Sequence, residues 1–142
     1  MTDTLLAITG LGLAPYAVRG ARQTLEPIEQ SKQIKRTING TAHDQSLPQF
    51  RKYRSTISCT DINAPAFDGK WPGASLVVDC IPELSYLTAG GSPGRSVVAG
   101  SSRVDGDYTF YRPQLTMKLT SWDIQYDEWG HETGWTMDLE ET

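Results

Sequence analysis

The chain has 142 residues, 38% of them apolar, with 13 glycines, 8 prolines and a net charge of −4. That length suits one domain with its own core, and the acidic balance argues against a protein whose main task is binding nucleic acid. Two cysteines and two histidines are too few for a disulfide framework and too scattered for a metal-ligand motif.

Residues 1–24 carry Gly10, Gly12, Pro15 and Gly20, which interrupt any regular element. The expectation is an extended N-terminal arm, ordered by lying across a neighbour, with Tyr16, Arg19 and Arg22 as its contact residues. The apolar run from Leu5 to Ala14 lacks a basic flank and is short and glycine-rich, so neither a secretory leader nor a membrane span is expected. Residues 25–142 are expected to form a single β domain.

The folded part opens with Leu25-Glu-Pro-Ile28. Ile34, Arg36 and Ile38 alternate with Gln33, Lys35 and Thr37, and Asn39-Gly40 follows at once. Asn-Gly after an alternating run signals a two-residue hairpin turn, with the return strand from Thr41, because both residues tolerate the positive φ that such turns require. Pro48 breaks the next stretch, since it has no amide proton for a ladder. Tyr53, Ser55, Ile57 and Cys59 then alternate with Arg54, Thr56 and Ser58, a strand whose basic start (Arg51, Lys52, Arg54) reads as an interface patch.

Asp61 to Gly73 is a loop of turn residues that also holds Phe67 and Trp71. Such aromatics either pin a loop to the core or anchor a partner, and Trp71 is a candidate interface residue. Ala74 to Ile81 is the next strand, closed by Pro82. Thr88 to Arg95 is a loop, and Val97-Val98 a short strand. Both cysteines, Cys59 and Cys80, fall in strand-like runs and are expected as buried free thiols.

The last third is the most regular. Leu115, Met117 and Leu119 share one phase, and Trp122, Ile124 and Tyr126 the other. After a turn at Asp127-Glu-Trp-Gly130, Thr133, Trp135, Met137 and Leu139 alternate with polar partners. A period of two with one apolar face predicts sheet. The whole chain therefore reads as all-β: a small β-sandwich or barrel of about six to eight antiparallel strands.

Charge is uneven along the chain. Up to Arg54 eight Lys/Arg stand against four Asp/Glu; from Ser55 onward five stand against thirteen, and none of the basic residues follows Lys118. This fits either a scattered solvated surface or a subunit with a basic and an acidic end that docks head-to-tail. Catalytic signatures are missing. Gly90-Gly-Ser-Pro-Gly94 has no strand-to-helix setting and no following Lys-Ser/Thr, the two histidines offer no base near a serine or cysteine, and no carboxylate pair stands outside turns and the chain end, so neither an enzyme nor a cofactor is expected.

Several segments resemble those of small virion structural proteins of long-tailed bacteriophages: Lys35-Arg-Thr-Ile-Asn-Gly40, Leu47-Pro-Gln-Phe-Arg-Lys-Tyr-Arg-Ser-Thr-Ile-Ser-Cys59, Trp71-Pro-Gly73, Tyr111-Arg-Pro-Gln-Leu-Thr-Met117, and the ending from Asp127 to Glu141. The resemblance is to distal-tail or hub-type baseplate proteins. It implies a ring subunit at the tail tip that connects the tail tube to the tip, in contact with copies of itself and with tube and hub proteins. DNA would be passing cargo, no membrane would be involved, and the protein would be assembled in the host cytoplasm into the virion. Asp123, Asp127 and Glu128 would then be candidates for an acidic face toward the channel, where like charge keeps phosphates from sticking. A neck ring (head–tail connector or tail-completion protein) and a carbohydrate-binding β-sandwich, touching glycans through Trp71 or Trp129, are the alternatives.

Overall fold

A computed structural model describes residues 5–13, 18–29, 34–44, 47–129 and 133–142. The fold is all-β, with twelve strands among the described residues: β1 (Ala7–Thr9), β2 (Arg22–Pro27), β3 (Ile34–Arg36), β4 (Ala42–Asp44), β5 (Tyr53–Asp61), β6 (Ser75–Asp79), β7 (Leu84–Leu87), β8 (Ser96–Val97), β9 (Arg103–Asp105), β10 (Tyr108–Tyr111), β11 (Pro113–Tyr126) and β12 (Thr133–Glu141). The paired strands run antiparallel, and no sheet closes into a barrel. The count exceeds the expected six to eight because β1, β3, β4, β8 and β9 have two or three residues each, too few to display a period.

The main sheet has seven strands in the order β1-β6-β11-β12-β5-β2, with β8 added along the start of β11. A three-stranded sheet (β7-β10-β9) and the separate β3–β4 hairpin complete the fold. β11 and β12 form the central ladder, from Met117 opposite Glu141 to Tyr126 opposite Thr133. The phase change visible in the sequence is a β-bulge between Leu119 and Ser121, where Thr120 has no partner across the ladder. Before the bulge Leu115, Met117 and Leu119 face inward; after it Trp122 and Ile124 do.

One face of the main sheet is the core. Ile57, Leu76, Val78, Leu115, Met117, Leu119, Trp135, Met137 and Leu139 are all at most 1% exposed. Loops and the N-terminal segment cover this face. Phe67 from the 62–74 loop stacks on Trp122 at 4.7 Å and meets Trp135 edge-on at 6.0 Å. Trp122 Nε1 donates to the Lys70 carbonyl at 2.9 Å, and the Ala66 amide donates to Gly12 O at 2.8 Å. The sequence left Phe67 and Trp71 with the same two options, and the fold separates them: Phe67 is 2% exposed and holds the loop down, whereas Trp71 is 75% exposed.

The arm expected over residues 1–24 is corrected in its described part. Leu6, Ile8, Leu11 and Val18 are buried in the one core cluster, and β1 pairs with β6 (Ile8 opposite Val78). β2 also runs across the expected boundary at residue 24 and pairs with β5 along its length. Apolar side chains two or three apart, each able to reach an unfilled part of the sheet face, outweigh the glycines that suggested an irregular arm. Tyr16 lies outside the described residues.

The Asn39-Gly40 hairpin forms, but with three loop residues. The Gly40 amide donates to Thr37 O at 2.9 Å, the Thr37 amide donates to Thr41 O at 2.8 Å, and Gly40 takes the left-handed φ of +82°. The loop is Ile38, Asn39 and a left-handed Gly40, and a glycine in that conformation is the usual last residue of a three-residue hairpin loop.

Candidate functional site

The face of the main sheet opposite the core is open and almost entirely polar. Register brings its side chains into rows across four strands. One row runs Arg22, Ser58, Thr136, Asp123; the next Thr24, Thr56, Asp138, Ser121; a third Glu26, Arg54, Glu140, Lys118. The third row alternates in charge, which favours its order because opposite charges sit directly opposite each other. Arg54 Nε donates to Glu26 Oε1 at 2.9 Å, and Glu26 holds the guanidinium above its ordinary pKa. In the middle row Asp138 accepts from Thr56 Oγ1 and from Ser121 Oγ, both at 2.8 Å.

A depression of about 530 Å³ opens on this face above Gly134, where a missing side chain leaves the sheet bare. Arg19, Arg22, Ser58, Thr60, Asp123, Gln125 and Thr136 line it. Beside it Arg19 grips Asp61, with the amide and Nη2 both at 2.9 Å from the carboxylate. Burial alone would raise the Asp61 carboxyl, but the Arg19 guanidinium and the amides of Ile62 and Arg19 more than offset it and hold the group below the usual carboxylate range. The depression can form hydrogen bonds with a polar surface. Its aromatic lining residue, Trp135, is 1% exposed, so it offers no ring for a sugar to stack on.

The fold brings some of the sequence candidates together and keeps others apart. Arg22, Arg54 and Asp123 share the open face, and Arg19 borders it. Asp127 and Glu128 lie past the end of β11, exposed in the turn toward β12. Arg51 and Lys52 precede β5, and Trp71 stands alone in its loop. The basic first part of the chain and its acidic remainder do not become two ends of the molecule. β5 pairs with β12, so Arg54 sits opposite Glu140.

One cluster was invisible in the sequence. Arg95 Nε donates to Glu141 Oε2 at 2.7 Å and its Nη2 to Glu141 Oε1 at 2.9 Å, and Nη2 also reaches Arg51 O at 2.7 Å. The Tyr53 amide donates to the same carboxylate at 3.1 Å, and the guanidinium lies 5.1 Å from the Tyr53 ring centroid. The side chains are only 27% and 10% exposed. This fork ties the 88–95 loop to the end of β12 and the start of β5. Its members are 46 and 88 residues apart, and no local pattern announces such a pair.

Cys59 and Cys80 are buried and free. Burial raises both thiols, Cys80 to about 11. Among the described residues no group of three His, Cys, Asp or Glu is placed to hold a metal ion, and no helix is long and apolar enough to cross a membrane. No family model matches the chain, and no curated protein or solved structure proves similar to it.

Proposed function

We propose that the chain is a structural subunit of a long-tailed bacteriophage virion, a distal-tail or hub-associated ring protein that joins the tail tube to the tail tip. The observation that carries this reading is the placing of its exposed large apolar side chains. Trp71 in the 62–74 loop, Trp129 in the β11–β12 turn at 80% exposure, and Ile38 at the tip of the β3–β4 hairpin belong to three separate elements. Single exposed apolar residues are ordinary, but bulky apolar side chains, two of them tryptophans, presented from three elements of one small domain suit a subunit that meets several neighbours. The resemblance to tail-tip proteins points the same way. In a ring, Asp123 on the open sheet face would be the acidic group toward the channel.

Electron microscopy of the purified protein, alone and mixed with its tail-tube protein, tests this reading. Closed rings that cap tube ends support it. A protein that stays monomeric in both preparations overturns it. Immunogold labelling of virions fixes the position: label at the tail tip supports the proposal, and label at the neck replaces it with a head–tail connector.

A further inference from the structure

The β3–β4 hairpin pairs only with itself among the described strands. Every residue from 34 to 43 is exposed, Ile34 at 64% and Ile38 at 103%. A lone two-stranded hairpin is marginal in water, and nothing among the described residues buries its isoleucines. Lys35 and Arg36 lie between them in sequence.

A second surface has the opposite character. At the end of the main sheet where β5 closes and β11 turns into β12, Tyr126, Thr133 and Asp61 lie in one row. Ile62 follows Asp61, and its carbonyl accepts from Thr133 Oγ1 at 3.0 Å. Ile62, Tyr126 and Trp129 are exposed there, with the exposed carboxylates Asp127 and Glu128 between the two aromatics in sequence. The first surface carries Lys35 and Arg36 beside its isoleucines, with Asp44 opposite Ile34 in register; the second carries Asp127 and Glu128 beside its aromatics, with Arg19 paired to Asp61 at its edge; and they belong to different elements of one chain.

We infer that the β3–β4 hairpin of one copy docks on the Ile62–Tyr126–Trp129 end of a second copy, Arg36, which shares the Ile34 face of β3, meeting Asp127 and Glu128, and Lys35 adding positive charge from the opposite face. This rests on the ring reading and names its subunit contact. Ile34 and Ile38 lose their exposure against the aromatic rings, and the flanking charges set the orientation. The contact is heterologous, joining two different patches, so repetition gives a closed ring or an open filament rather than a two-fold dimer.

Charge reversal tests the pairing. K35E/R36E and D127K/E128K are made in the full chain and measured by light scattering and sedimentation, with circular dichroism as the check on folding. All four side chains are exposed, so both variants keep the native spectrum. Each alone places like charges in the contact and weakens self-association by on the order of 10-fold or more. Mixed in equal amounts, the acidic hairpin of one variant meets the basic end of the other, and assembly returns. Wild-type assembly that neither variant alters, or that the mixture does not restore, overturns this contact and leaves the ring reading standing. A wild-type chain that remains monomeric alone overturns this contact, and one that also remains monomeric with its tail-tube protein overturns both.

Discussion

Replacing Phe67 with alanine tests how the core is closed. The ring is 2% exposed between Trp122 and Trp135, and it belongs to a loop rather than a strand. Truncation returns roughly 150 Å² of apolar contact to solvent or void, which at about 25 cal/mol per Å² is about 4 kcal/mol. Loss of the stacked and edge-on contacts adds about 1 kcal/mol, and partial collapse of the loop recovers a similar amount. The expected cost is about 4 kcal/mol, a large part of the roughly 5–15 kcal/mol that stabilises a domain. At roughly 3–4 °C per kcal/mol for a chain of this size, Tm falls by about 12–16 °C. Trp71→Ala, four residues along the same loop, removes a larger but exposed ring and shifts stability by no more than about 0.5 kcal/mol. Urea unfolding followed by tryptophan fluorescence and by circular dichroism measures both. A Phe67→Ala loss below about 1 kcal/mol, or a Trp71→Ala loss larger than that of Phe67→Ala, refutes the assignment of the two rings.

Arg95→Met leaves the Glu141 carboxylate in a site that is 10% exposed, and costs about 3 kcal/mol in chemical denaturation. A double-mutant cycle with Glu141→Gln returns a coupling of about 1–3 kcal/mol, whereas strict additivity would count against the fork. Gly91→Ala drives a methyl group against the Leu87 carbonyl oxygen, so the backbone must move; a loss of about 1–3 kcal/mol in thermal unfolding is expected. The Cys80 thiol, raised by burial to about 11, keeps its proton in the folded chain after an exposed thiol has lost it. The unfolded state therefore releases that proton first, and this group's contribution to stability falls as pH rises from about 9 toward 11. Cys80→Ser should flatten that part of a stability–pH curve, and native protein at pH 8 should resist iodoacetamide at Cys80 until denaturant is added.

Periodicity shows in the sequence wherever a strand is long enough to repeat. β5, β11 and β12 are legible because each has nine residues or more with alternating burial. The change of phase at Thr120 is legible for the same reason. β1 is not, since three residues beside Gly10 give no period, although Leu6, Ile8 and Leu11 carry the apolar signal that places them in the core. Asn39-Gly40 marks its turn, yet the third loop residue depends on how Thr37 and Thr41 pair, which is a property of the register. The candidate surface divides the same way. The polar partners of each strand can be read one strand at a time. The rows that set Arg54 beside Glu140 and Arg22 beside Ser58 need the strand order β2-β5-β12, and nothing local specifies that order.

The bulge at Thr120 gives β11 something like a reading frame. Upstream of it the odd-numbered positions are buried; downstream the even-numbered Trp122 and Ile124 are half-buried against the core, and Asp123 and Gln125 are exposed. Loss of Thr120 alone would shift one half of the strand against the other, turning Trp122 and Ile124 out to water and Asp123 into the core. A residue added in the Asp127–Trp129 turn would leave both halves in phase. A change in length within β11 therefore breaks its packing, whereas one in the turn that follows leaves the two halves of the strand in phase.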